Sequence, residues 1–192
     1  VDETFENLEI YKKKNYKYDL FFALSHGVHR GTLKKGKTDN REIFLNKLIN
    51  SNNEIRFNIF GIKDSQPIWA ENFKNELSKS KMALNLSQGE PLKFYSSDRI
   101  SQLIGNGVLT FVDRKTKLNK IFKKDEVIFY NDVKDLCKKI IKYKNSDTIR
   151  NKIAKKGMIK YHKYMNSVKV ASYIINKTLN IKYKQKFFWE NK

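Results

Sequence analysis

Along the chain, short apolar runs alternate with longer stretches in which apolar residues recur every three or four positions. Residues 18–24 are apolar and aromatic and end at Ser25, His26 and Gly27, the pattern of a buried strand running into a loop. After a Gly- and Lys-rich loop at 26–38, Asp39 or Asn40 is placed to cap a helix whose Ile43, Phe44, Leu48 and Ile49 recur at helical spacing. Residues 55–60 alternate as a second strand closed by Gly61, 68–77 suggest a helix, and 82–86 a third strand. Ser96, Ser97 and Asp98 then start a helix through Ile100, Leu103 and Ile104, which Gly105, Asn106 and Gly107 stop. A fourth strand at 108–112 ends at Asp113, one or two helical turns follow at 118–122, and 127–130 is a fifth strand. Asn131 or Asp132 caps a helix bearing Val133, Leu136, Cys137, Ile140 and Ile141. Beyond it only helices are predicted, at 147–164 and 167–179, before a basic aromatic tail at 182–192.

Strands separated by helices of this length imply a Rossmann-like parallel sheet with right-handed crossovers, helices on both faces and additional carboxy-terminal helices. In such sheets ligands sit beyond the carboxyl ends of the strands. The relevant loops are then 26–38, 61–67, 87–98 and 113–117. No internal repeat or linker divides the chain, so one domain is expected over 18–181, followed by the tail at 182–192.

Composition narrows the class without changing this picture. With 192 residues, 40% hydrophobic and including 13 Phe and 10 Tyr, the chain can fill a sizeable core and is not a disordered tail. Its longest apolar run, residues 20–24, is far too short to cross a bilayer. A single cysteine, Cys137, excludes an internal disulfide and a multi-cysteine zinc site, which suits a reducing, cytoplasmic compartment. The net charge of +20 invites polyanionic partners: nucleic acid, an anionic membrane or a phosphorylated substrate. Only six of the 40 Lys+Arg are arginine, however, and the chain also holds 20 Asn and 19 Ile. That excess is what an AT-rich coding bias produces, and most of the lysine then reads as surface solvation.

Two loops carry candidate chemistry. The first, 25–37, combines glycines, His26, His29 and several cations where a phosphate ligand would be met, yet it has neither a G-x-G-x-x-G nor a P-loop pattern. Arg30 can hold a diphosphate as a planar fork and Lys37 as a point charge; a solvated basic loop explains them equally well. His26 and His29 are three apart with no partnering ligand, which favours hydrogen bonding over metal binding. In the second loop, Ser96, Ser97 and Asp98 start a helix whose free N–H groups and dipole suit a phosphate, or they simply cap it. Tyr95 can stack on a base or cover the edge of the core.

Residues 81–87 and 99–113, in their order, resemble the carboxy-terminal half of group 1 glycosyltransferases of the GT-B fold. The shared pattern is a buried strand, a donor loop, an Arg-apolar-x-Glu helix ending in a small-residue-Gly turn, and a strand ending in Asp. The strand at 127–130, the helix after it and the stretch 147–157, with Ala154 and Gly157, continue the likeness, which covers roughly 18–180. The resemblance implies a domain that binds a nucleoside-diphosphate sugar through Gly27, Arg30 and Lys37 of the first loop and Ser87, Tyr95, Ser96, Ser97, Asp98, Arg99 and Gln102 of the second. It implies no metal and no cofactor beyond that substrate. Gln102 stands where many retaining members have a glutamate, and the E-x7-E pair is missing, although Glu90 and Asp98 share its spacing. Gln102 can still hydrogen-bond a ribose or sugar hydroxyl.

The resemblance also implies an upstream amino-terminal domain that binds a glycan or lipid-linked acceptor. Residues 1–17 read as the connector to it, Val1 not being a methionine. The expected function is glycosyl transfer, with this chain as the donor-binding half and His26 as a candidate base within its loops. The alternative is a basic α/β module that binds nucleic acid without catalysis. The aromatic, lysine-rich tail also suits a peripheral contact with an anionic membrane, or a segment that docks on the domain.

Overall fold

Residues 1–24, 40–62, 65–87, 89–182, 187 and 189–190 are described in the computed structural model of the chain. Among them, five strands form one parallel sheet. β1 (Tyr18–Ala23) lies between β2 (Phe57–Phe60) and β3 (Ser80–Asn85), and β4 (Leu109–Asp113) and β5 (Ile128–Tyr130) continue from β3, giving the order β2-β1-β3-β4-β5. Leu20 stands opposite Phe57 and Met82, and Phe111 opposite Leu84 and Ile128.

Because side chains alternate across a strand, each strand feeds two cores. Leu20, Phe22, Met82, Leu84, Phe111 and Tyr130 point to one side, where α1 (Asn40–Ser51) and α4 (Val133–Lys144) cover them with Leu45, Leu48, Leu136 and Ile140. Phe21, Ala23, Ala83, Val112 and Phe129 point to the other, under α2 (Ala70–Leu77) and α3 (Asp98–Gly105). Each fully buried Phe or Leu of these layers contributes about 2 kcal/mol relative to exposure. α5 (Asp147–Tyr164) serves both sides, Ile153 and Ala154 joining the first core and Tyr161 the second. The expected Rossmann-like α/β architecture, with helices on both faces, is the one observed.

The amino end of β1 is locked by charge. Asp19, fully buried, accepts from Arg56 Nη2 at 3.0 Å and from the Arg56 backbone N–H at 2.9 Å, with Lys144 Nζ 3.2 Å away. Burial pushes its carboxyl up, but Arg56 and Lys144 outweigh burial and hold it below the usual carboxylate range. That pins β1 to β2 and α4 at the amino end of the sheet's strands.

Several details refine the sequence pattern. In α1 the inward stripe is Arg41, Leu45 and Leu48, while Ile43 is exposed. Positions 41, 45 and 48 lie on one helical face, and Ile43 lies off it. The segment at 118–122 is a 3-10 turn, Leu118–Lys120, preceded by another at Arg114–Thr116. α3 ends in a Schellman motif: Gly107, at φ +71°, donates to Ile104 O, and Val108 donates to Leu103 O. Residues 1–17 pack on the domain, with buried Ile10 donating its backbone N–H to Asn106 O at 2.9 Å and Ser167 donating to Val1 O at 2.8 Å. α6 (Ser167–Thr178) has no buried residue, yet Phe187 of the tail is buried with its ring 5.0 Å from that of Tyr173. Among the described residues no helix is long and apolar enough to cross a membrane.

Candidate functional site

The order β2-β1-β3-β4-β5 has its topological switch point between β1 and β3, where neighbouring crossovers leave on opposite faces and a crevice opens beyond the strand ends. A cavity of about 350 Å³ lies there. Ala23 and Leu24 at the end of β1 and Ser87 after β3 form its floor, α1 contributes Arg41, the start of α2 contributes Trp69 and Phe73, and α3 contributes its first turns.

The first turns of α3 define the site's chemistry. Ser97 is the N-cap by backbone conformation, but its side chain makes no capping hydrogen bond, and its Oγ is buried without a partner. Capping therefore does not explain this serine. The first N–H groups of a helix have no intrahelical acceptor, so the turn offers donors and the positive end of a dipole. Arg99, one residue into the helix, donates from Nη1 to Leu86 O at 2.8 Å and stacks 4.9 Å from the Phe22 ring. No carboxylate is ion-paired with it among the described residues. Burial, and then the positive charge of Arg41, push its pKa down to about 10. Arg41 is itself more than nine-tenths buried. Two guanidinium groups thus bring their fields into one cleft beside a helix amino terminus, an arrangement that favours an anion.

Trp69 and Tyr95, respectively 54% and 45% exposed, border the cavity as two aromatic faces left open to solvent. Gln102, one turn further along α3, also lines it.

Of the site residues expected from sequence, the cleft brings together Ser87, Tyr95, Ser97, Asp98, Arg99 and Gln102. His26, Gly27, Arg30 and Lys37 lie outside the described residues. Ser96 points elsewhere: its Oγ is 3.4 Å from Tyr161 Oη, and it lines a second cavity on the other side of the same turn. Glu90 and Asp98 do not act as a pair despite their spacing. Only Asp98 lines the cleft, whereas Glu90 adds to burial in raising the Asp113 carboxyl at the end of β4.

Sequence reasoning missed Arg41 and Trp69. For Arg41 a signal existed. In a chain that places lysine at 34 of its 40 cationic positions, an arginine in the first turn of a helix that follows a Gly- and Lys-rich loop stands out. Trp69 carried no comparable mark, because in sequence it is an isolated aromatic at the start of the 68–77 helical stretch.

Compared with known proteins, residues 38–176 match the model of a family described as glycosyl transferase-like. No curated protein matches the chain. The matched span runs from the residues just before α1 into α6 and includes Arg41, Ser87 and all of α3.

Proposed function

The chain belongs to the glycosyl transferase-like family, and on that basis we propose that it is the donor-binding half of a GT-B, group 1-like glycosyltransferase, with a nucleoside-diphosphate sugar in the cleft between β1 and β3. The observation that carries this reading is the pair of guanidinium groups in one cleft, Arg99 and the buried Arg41, beside the α3 amino terminus. They suit the diphosphate, the part of the donor that gains charge when the sugar leaves.

In the transfer, an acceptor hydroxyl gives its proton to a base, of the upstream domain or His26, and its oxygen forms a bond to the anomeric carbon. The bond from that carbon to the diphosphate oxygen breaks, and the diphosphate departs with the electron pair. Arg99, Arg41 and the first-turn N–H groups of α3 stabilise that charge without requiring a metal. Arg30 and Lys37 of the first loop are assigned to the same diphosphate, and His26 to acid–base work in that loop. Tyr95 and Trp69 offer faces for the nucleobase, and Gln102 a hydrogen bond for a ribose or sugar hydroxyl. The acceptor-binding partner is assigned to an upstream domain, as in other GT-B enzymes.

Thermal melting with UDP, GDP and their sugars tests the reading. At least one nucleoside diphosphate is expected to raise the melting temperature, and Arg99→Ala is expected to abolish the shift. No shift with any of them would overturn it.

A further inference from the structure

α6 turns only one of its sides to the domain. Val170, Tyr173 and Ile174 line the second cavity, which α6 shares with α5, the tail and the α3 amino terminus. There the rings of Phe187 and Trp189 close on Tyr173, at 5.0 and 5.4 Å, so the aromatic end of the tail docks on α6. Val168, Ile175 and Leu179 occupy the other side, because positions seven and eleven apart fall on one helical face. They are 72%, 53% and 64% exposed. An aliphatic stripe therefore faces away from the chain's own core. Its surroundings are cationic. From 148 to 189 the sequence holds ten lysines and Arg150 and no Asp or Glu. Asp125 and Glu126 pair with Lys156 and Lys160, and Glu190 with Lys177. Lys163 and Lys169 flank the Tyr164 ring, Nζ 5.2 and 5.8 Å from its centre, and neither meets a carboxylate among the described residues. Lys182, also exposed, follows the stripe at its other end.

We infer that this side of α6 lies on an anionic bilayer surface, with the aliphatic stripe entering below the headgroups and Lys163, Lys169 and Lys182 meeting their phosphates. Both features are needed to single out that partner. The stripe alone would suit any apolar groove, and the lysines alone any polyanion, whereas a bilayer with anionic lipid presents an apolar layer directly beneath a charged one. A second copy would bring the same acid-free, cationic face against this one. Nucleic acid offers phosphates without an apolar layer, and the rings of Tyr173, Phe187 and Trp189, on which its bases would stack, are packed against one another. The contact belongs to α6 itself and not to the tail rings, which the domain already uses. It does not depend on the donor assignment, because none of its residues lines the β1/β3 cleft.

Co-sedimentation with vesicles of phosphatidylcholine, alone or with phosphatidylglycerol at about 30%, tests the inference at roughly physiological salt. Saturable binding is expected to the mixed vesicles, and binding weaker by about tenfold or more to phosphatidylcholine alone. Ile175→Ser combined with Leu179→Ser changes two exposed positions, so the melting temperature should stay the same. Binding to the mixed vesicles is expected to fall by about tenfold or more in that pair, whereas Ile175→Leu with Leu179→Ile retains it. Lys163→Gln with Lys182→Gln is expected to weaken it by a similar factor and to leave the residual binding to phosphatidylcholine unchanged. No binding to the mixed vesicles overturns the inference and returns the stripe to a protein surface such as the upstream domain. Equal binding in the serine pair also overturns it, since the contact is then charge alone. A dimer in sedimentation equilibrium that the serine pair dissociates would assign the stripe to a second copy instead. Saturable oligonucleotide binding in place of vesicle binding would assign the lysines to nucleic acid, and that too overturns it.

Discussion

Arg99 is a cation packed against an aromatic ring and within the field of a second guanidinium, with a carbonyl as its hydrogen-bond acceptor. Its lowered pKa gives a specific expectation. The unfolded chain holds this proton more tightly than the folded one, so charged Arg99 opposes folding at neutral pH, and the opposition fades only as pH rises above about 10 toward the ordinary arginine value. Diphosphate binding needs the charged form and moves the other way. In calorimetric titrations, affinity for a nucleoside diphosphate should be level from neutrality to just below pH 10 and fall above it, as Arg99 releases its proton at about 10. In Arg99→Lys, the planar fork is gone and the remaining affinity should follow a different alkaline profile. This residue was legible in sequence because it follows a Ser-Ser-Asp helix start within a family-like pattern. Its relation to Arg41 was not, since 58 positions separate the two and only the pairing of β1 with β3 brings them together.

The order and type of the elements follow directly from hydrophobic period, because the strands are short and aromatic or branched while the helices carry spaced apolar positions. Which face of a helix turns inward is less secure. In α1 the apolar residues occupy most of the circumference, so pattern alone favoured Ile43, and the cavity claims the inward position for Arg41 instead. The close approach of α5 to the loop before β5 was equally invisible. Gly157 sits there so that a Cβ at its position would overlap the Glu126 carbonyl. Gly157→Ala is therefore expected to destabilise the fold by about 1–3 kcal/mol in urea unfolding, despite alanine's better helix propensity. A neutral or stabilising result would mean that α5 does not pack as described.

For the whole molecule, the net charge of +20 is the most visible number in the sequence and the least specific. The feature that singles out a ligand is local, two arginines lining one cleft at a switch point, while the lysines are spread along the chain. Oligonucleotide binding is accordingly expected to be weak and to fall by about a thousandfold between roughly 50 and 200 mM salt, as unspecific contact through several phosphates does. Saturable binding that survives physiological salt would support a nucleic-acid module instead. The central claim is that the β1/β3 cleft holds a nucleoside diphosphate through Arg99 and Arg41. Isothermal titration of UDP and of GDP into the wild-type chain, Arg99→Ala and Arg41→Ala tests it most directly. One of the two nucleotides should bind with one-to-one stoichiometry, and each substitution should weaken it by about tenfold or more, as expected for loss of a charge-assisted contact. Equal affinity in all three proteins would contradict it.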